Sequence, residues 1–272
     1  METLHLHLIS DATGETIGNL TRACLAQFPN VEPNEHPWNL VRTEKDINKV
    51  IKGIEKNPGM VLYTLVNRKF QNRLEKSCLN LGVPCVSALD PIFAAMSKFF
   101  GLKSQEKPGH QHVMDAEYFH RLEAMNYVLT HDDGQSVAGL DKADVILVGV
   151  SRTSKTPTCL YLANRGISAA NIPLVPGYPL PPELLKAKKP LIIGLTKNPK
   201  NLVQVRKNRL NVLNQDHETD YADIETVQEE VRDARRIFTR NHWPVIDGTR
   251  KSIEEIAAIV LQLYARHKEG VS

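Results

Sequence analysis

The stretch ADVILVGVSRTSKTPTCLYLANRG, residues 143–166, runs from an apolar segment ending in glycine, through a polar loop, into a helical pattern. The phosphate-loop pattern asks for GxxxxGK followed by Ser or Thr. Gly149, Lys155 and Thr156 meet it, with Val150, Ser151, Arg152 and Thr153 as the spacers, and only Ser154 departs, standing where the second glycine belongs. Backbone N–H groups of such a loop and the open start of the helix behind it cradle polyphosphate oxygens; the lysine reaches the terminal phosphates, and the hydroxyl ligates Mg²⁺. Pro157 suits the helix's first turn, which has no use for the missing N–H. Nucleotide contact is therefore expected along residues 149–156, with Arg152 as an additional cation for phosphate.

Strands alternate with helices on both sides of this segment. LHLHLIS reads as a strand, SDATGET as a turn, and the next residues as a helix with Ile17, Leu20, Cys24 and Phe28 on one face. An extended stretch near His36–Val41, a helix over 43–56, the strand MVLYTLV, a helix over 67–81 and the strand VPCVSAL follow. Residues 101–114 lose periodicity, and a helix through VLT is expected to stop at Gly134, which suits a left-handed cap. Beyond it come the strands VILVGV, NIPLV, PLIIGLT and PVID, one long helix with Val227, Val231, Ala234 and Phe238 in register, and a last helix with Ile253, Ile256, Val260 and Leu263. Alternation of this kind means parallel α/β architecture. Two α/β halves are expected: residues 1–140, with a bridging helix, and residues 141–272, a phosphate-loop kinase-like parallel sheet flanked by helices.

The bulk numbers agree with a globular protein. Over 272 residues, 42% are apolar and 24% charged, and the net charge is only +3, so no dedicated nucleic-acid surface is implied. Cys24, Cys78, Cys85 and Cys159 form no CxxC pair, which points to reduced thiols and a cytoplasmic setting rather than to disulfides or zinc. METLHLHLIS lacks the pattern of a signal peptide, and no apolar run is long enough for a bilayer.

Asp132 and Asp133 lie in HDDG, just ahead of the phosphate-loop strand. Either can hold Mg²⁺ together with Thr156, or take the proton of an attacking hydroxyl. Carboxylates at a helix C-terminus oppose its dipole, so a functional use explains them better than capping does. Asp11 in SDATGET stands at the carboxyl end of the first strand, the edge where open α/β sheets bind ligands, although Ser, Asp and Thr there also read as helix caps. The base is thus open among Asp132, Asp133 and Asp11. PLIIGLT ends in Thr196, where such kinases often carry an acid, so the metal falls to Asp132, Asp133 or Asp247. Lys200, Arg206, Lys207 and Arg209 share a helix that reads either as a phosphate-binding lid or as a solvated face; Arg206 and Arg209 are the phosphate candidates. His110 and His112 have no partners with metal-ligand spacing.

Taken in order, SDATGET at 10–16, PGHQHVMDAEYFHRLEAMNYVLTHDDG at 108–134 and GVSRTSKTPTCLYLANRG at 149–166 resemble the pyruvate, phosphate dikinase regulatory protein family over nearly the whole chain. The resemblance implies a bifunctional serine/threonine kinase and phosphorylase. ADP is the phosphoryl donor to a threonine of the dikinase, which is thereby inactivated; inorganic phosphate removes the group as pyrophosphate. It also implies a homodimer. A sister branch that acts on phosphoenolpyruvate synthase carries a motif closer to SDGTAIT, so Gly14, Glu15 and Thr16 favour the dikinase branch. Some relatives carry glycine at position 154; the serine here either crowds the loop or offers phosphate a hydroxyl. A small-molecule kinase and a non-catalytic nucleotide sensor are the alternatives; the first leaves the motif-rich N-terminal half unexplained, and transfer of label from β-labelled ADP to the dikinase separates both from the regulator.

Overall fold

The structure, a computed structural model, describes residues 4–105, 116–212 and 220–271. The chain separates into two compact units, Met1–Val113 and Met114–Ser272. His110 and His112 lie outside the described residues.

The first unit holds β1 (His5–Ile9), α1 (Glu15–Leu25), β2 (Asn34–Trp38), α2 (Glu44–Lys56), β3 (Met60–Tyr63), α3 (Arg68–Leu81), β4 (Cys85–Ser87) and α4 (Asp90–Phe100). Its strands form an all-parallel sheet in the order β2-β1-β3-β4. One face is thickly covered: Ile9, Val61 and Tyr63 pack with Ile47, Val50 and Ile54 of α2 and Leu74 of α3. The other is thin, with Leu6 and Leu8 against Ile17 of α1. Of the apolar stripe expected on α1, only Ile17 is buried; Leu20, Cys24 and Phe28 are exposed, and Thr21 turns inward instead. α4 was not legible as a helix because apolar residues fill nearly every position of DPIFAAMSKFF, leaving no polar face to reveal a period.

The second unit holds α5 (Ala116–Thr130), β5 (Val145–Gly149), α6 (Lys155–Ala163), β6 (Ala169–Pro173), α7 (Pro182–Lys186), β7 (Leu191–Thr196), α8 (Pro199–Val212), α9 (Ile224–Arg240), β8 (Val245–Asp247) and α10 (Ile253–Val271). Its sheet is also all parallel, in the order β6-β5-β7-β8, so the two units repeat one strand order. β5 is buried throughout, as a central parallel strand must be. Val145 and Leu147 face α6 and α10, while Ile146 and Val148 face α9 through Val227, Val231, Ala234 and Phe238. The bridging helix expected in the first half is α5, and it belongs here: Ala124 and Val128 join the core of Cys159, Leu162 and Ala163. The unit boundary therefore precedes α5 rather than following residue 140. Gly134 does adopt a positive φ of 71°, but in a 3-10 turn over Asp132–Gly134 and not as the cap of α5, which ends at Thr130. All four cysteines are free, and no helix among the described residues is long and apolar enough to cross a membrane.

In the first unit an alternating strand conceals a buried histidine. His7 is fully buried; its Nε2–H donates to the carbonyl of Asn57 at 2.9 Å, and its Nδ1 accepts from Trp38 Nε1 at 3.1 Å, which fixes the neutral tautomer. Burial holds its imidazole below the ordinary 6.5, and the bond to Asn57 offsets this only in part; His36 and His5 add to the lowering. The unfolded chain therefore takes up a proton that the folded chain refuses, so this contribution to stability is complete above about pH 6.5 and drains away as pH falls through the window below it. Denaturant unfolding followed through Trp38 fluorescence should show a lower midpoint at pH 5.5 than at pH 7.5, and His7→Gln should shrink that difference. An unchanged difference in the variant would assign the acid sensitivity elsewhere.

Candidate phosphoryl-transfer site

The sheet order of the second unit reverses direction between β5 and β7, and the loops leaving those two strands part there. That divergence is where open α/β sheets form ligand crevices. A Cβ on Gly149 would collide with the carbonyl oxygen of Leu195 on β7, so glycine is needed for the loop to start so close to the neighbouring strand. Arg152 and Ser154 then adopt left-handed backbone, with φ of 71° and 75°. This turns the loop back on itself, and successive N–H groups in such turns make anion-binding concavities. Ser154 is the residue before α6, whose first turn has no side-chain cap.

The buried Thr153 hydroxyl donates to the Val150 carbonyl at 3.0 Å and stiffens the loop. Lys155 is 5% exposed, and its Nζ donates to the same carbonyl at 3.1 Å. Burial brings its ammonium down to about 8, against the opposing pull of Asp133 and Asp132. A cavity of about 470 Å³ opens beside it, lined by Asp133, Arg152, Ser154, Lys155, Thr156 and Lys197 among others. Lys197 escaped the sequence reading. It is the first residue after β7, its Nζ donates to Ser154 Oγ at 2.8 Å, and burial lowers its ammonium as well. The hydroxyl at the misfit position thus neither crowds the loop nor stands idle: it tethers a second lysine at the mouth of the cradle.

The expected union of Thr156 with HDDG is present. Thr156 Oγ1 donates to Asp132 Oδ1 at 2.9 Å. Asn171 completes the group: its Nδ2 lies 2.7 Å from Asp132 Oδ1, 3.0 Å from Asp133 Oδ1 and 2.9 Å from Thr156 Oγ1. Ala169 and Asn171, two residues apart on β6, share the sheet face that α6 covers, and this carries the amide to Thr156. A polar amide inside a strand otherwise buried was the available signal, since asparagine is depleted from strands. His131 is not part of the chemistry. Its ring stacks on Tyr127, and both of its nitrogens face backbone carbonyls, those of Tyr127 at 2.9 Å and Ala138 at 3.0 Å.

Four expected site residues go elsewhere. Arg206 is 1% exposed and does not face the cavity. It grips Glu230 with two bonds, Nη2–Oε2 at 2.6 Å and Nη1–Oε1 at 3.2 Å; it also donates to the carbonyls of Tyr221 at 2.9 Å and Ser151 at 3.3 Å. Its guanidinium stacks over the Tyr221 ring, whose hydroxyl reaches Ser151 Oγ and Arg152 Nε at 3.2 Å each. Arg206 is a brace for the phosphate loop rather than a phosphate ligand; an isolated cation could not be buried there, and Glu230 is what makes it tolerable. Asp247 accepts from Thr249 N, faces Arg235 at 3.7 Å and lines a separate groove beside α9. Asp11 belongs to the first unit, where its buried carboxylate accepts from Val66 N at 2.7 Å and joins the loops after β1 and β3. Burial holds that carboxyl above the usual range despite this bond. Arg209 is exposed on α8.

The oxygen donors fit magnesium. Among the described residues no three His, Cys, Asp or Glu side chains gather into a metal cage. Mg²⁺ needs none: it keeps several waters and is held by one or two carboxylates, a hydroxyl and substrate phosphates. Asp132 and Thr156 would supply the carboxylate and the hydroxyl.

Comparison with known proteins gives a consistent result. The model of a family described as kinase/pyrophosphorylase matches residues 6–261. A protein of Paramagnetospirillum magneticum is 57% identical over 269 residues, covering 99% of this chain and 86% of that relative. One from Rhodospirillum rubrum is 48% identical over 262 residues (96% and 95% covered), and one from Rhizobium meliloti is 51% identical over 263 residues (96% of each). All three are provisionally named pyruvate, phosphate dikinase regulatory protein.

Replacing one partner of a buried pair leaves the other charge stranded, whereas replacing both with apolar residues of similar size does not. Arg206→Ala should therefore cost about 3–5 kcal/mol in denaturant unfolding, and Arg206→Met with Glu230→Met should recover most of it. A small loss in the single variant, or no recovery in the double, would contradict the bracing role.

Proposed function

The chain belongs to the kinase/pyrophosphorylase family, and on that premise we propose that it moves phosphate onto and off a threonine of pyruvate, phosphate dikinase at the cavity beside Lys155. In the forward direction the threonine oxygen attacks the β-phosphorus of ADP. The bond to the α-phosphate oxygen breaks, AMP leaves, and the hydroxyl proton passes to a carboxylate. In the opposing direction an oxygen of inorganic phosphate attacks the phosphothreonine phosphorus; the bond to the threonine oxygen breaks, pyrophosphate leaves, and that oxygen regains a proton. Both reactions make or break the same phosphorus–oxygen bond, so one cradle and one acid–base group serve both. The names of the relatives support the dikinase rather than phosphoenolpyruvate synthase as partner.

The observation that carries this reading is the meeting of Thr156, Asp132 and Asp133 on the first turn of the phosphate-loop helix. Lys155 leaves the Val150 carbonyl for the transferred phosphoryl group, and Lys197 and Arg152 supply the further charge that inorganic phosphate requires, the place Arg206 does not fill. Asp132 already accepts two hydrogen bonds, from Thr156 and Asn171, and serves best as a partner of magnesium. Asp133 accepts one, is exposed, and lines the cavity, so it is the proton carrier. Mg²⁺, when bound, neutralises charge on the phosphate oxygens. The residues named here position and balance charge, which is most of what phosphoryl transfer asks of a protein.

Incubation with ADP labelled in the β-phosphate should label threonine on the dikinase, and Lys155→Ala should depress both directions by roughly 100-fold or more, as the loss of a preorganised charge does. Absence of label on the dikinase would overturn the kinase reading; loss of the kinase alone would overturn the shared cradle.

A further inference from the structure

Asn171 is 1% exposed, and three oxygens converge on its one nitrogen, although that nitrogen has only two hydrogens. The surplus resolves in one way. The Thr156 hydroxyl directs its own hydrogen to Asp132 Oδ1, so both amide hydrogens go to the carboxylates, one to Asp132 and one to Asp133. The Thr156 oxygen is then left with its lone pairs unclaimed. The opposite amide orientation would set a carbonyl oxygen against two carboxylates, and the repulsion excludes it. The backbone that carries it is anchored too: the Asn171 N–H bonds to His131 O at 3.1 Å, tying β6 to the turn that carries the aspartates, and Leu147 of β5 is its neighbour in register.

Two adjacent residues rarely aim at one atom. Asp133 manages it with a left-handed backbone, φ 47°, an arrangement that costs energy in a residue other than glycine and persists where surroundings enforce it. Asn171 Oδ1, meanwhile, is buried without a partner, so the amide is held by its nitrogen side alone. A buried unsatisfied oxygen and a strained aspartate are both accepted at this one point, and what they achieve is the gathering of two carboxylates and a hydroxyl.

Building on the phosphoryl-transfer reading above, we infer that Asn171 is the positioning residue of the site, holding Asp132 and Asp133 on one nitrogen so that Thr156 presents its oxygen, and Asp133 a free carboxylate oxygen, to the reacting groups. It touches no substrate; it acts through the two aspartates. Without its hydrogens nothing offsets the repulsion between the two carboxylates, and they part from their places against Thr156. The cations opposite them, Lys155 from α6 with Arg152 and Lys197 around the cavity, stay in place and keep nucleotide binding intact.

The test is steady-state kinetics of threonine phosphorylation by the whole chain, with Asn171→Ala, Asn171→Ser and Asn171→Asp beside the wild type. Asn171→Ala should lower kcat roughly 10- to 100-fold, the scale of lost hydrogen bonds to charged groups, with KM for ADP within about threefold. Asn171→Ser, which keeps one donor, should fall between. Asn171→Asp keeps the shape but sets a third negative charge where the two carboxylates need a donor, so its kcat should fall below that of Asn171→Ala. Wild-type kcat in Asn171→Ala, a loss carried by KM for ADP instead of by kcat, or an Asn171→Asp as active as the wild type, would overturn the inference. A wild-type protein that labels no threonine would instead overturn the reading on which it rests, so the two failures are distinguishable.

Discussion

A side chain at Gly149 would run into the Leu195 carbonyl, and this contact sets how β5 and β7 meet where their loops part. With hydrogen there instead, the loop leaves the sheet at the one place where neighbouring connections diverge. α6 can then begin six residues later with Lys155 and Thr156 at its open end. The rest of the site is arranged around that opening. β6 brings Asn171 from one side, β7 delivers Lys197 from the other, and the turn after α5 lays Asp132 and Asp133 against Thr156.

Charge explains which side chains are free to act. Lys155 is buried beside Asp132 and Asp133, so its ammonium is desolvated yet not stranded, and a phosphate group entering the cavity meets a cation already stripped of water. Arg206 illustrates the opposite use of charge. Its guanidinium is engaged by Glu230 and by the carbonyls of Ser151 and Tyr221, so it shapes the loop, and the proposed function assigns phosphate to Arg152, Lys155 and Lys197 instead. Ser154 belongs to the same economy: its left-handed backbone is strained, and its hydroxyl holds Lys197 at the cavity edge.

Sequence spacing carried the local chemistry and lost the distant partners. GVSRTSKT declared its strand, loop and helix because each step has a residue requirement, and α9 declared its buried face because Val227, Val231, Ala234 and Phe238 follow the helical period. HDDG drew attention because acids suit a helix C-terminus poorly. Lys197 and Glu230 were silent: each acquires its role only when β7 or α9 folds against the loop, and nothing in their own neighbourhood requires it; Asn171 gave only the signal of an amide in a strand, which names no partner. Arg206 was misread for a related reason, since a helical arginine looks the same in sequence whether it faces phosphate or a buried glutamate. α1 misled by composition: Leu20 and Phe28 match a buried stripe, but the thin apolar face of β1 takes up only Ile17.

On the function proposed above, one cradle holds the diphosphate of ADP in one direction and, in the other, the inorganic phosphate that leaves as pyrophosphate. Calorimetric titration of the wild-type chain with ADP, in the presence of Mg²⁺ and increasing pyrophosphate, tests it directly. Mutually exclusive binding, with the apparent Kd for ADP rising in proportion to pyrophosphate, is the predicted result. An ADP affinity that levels off or does not change as pyrophosphate saturates would mean two separate sites and would contradict the account.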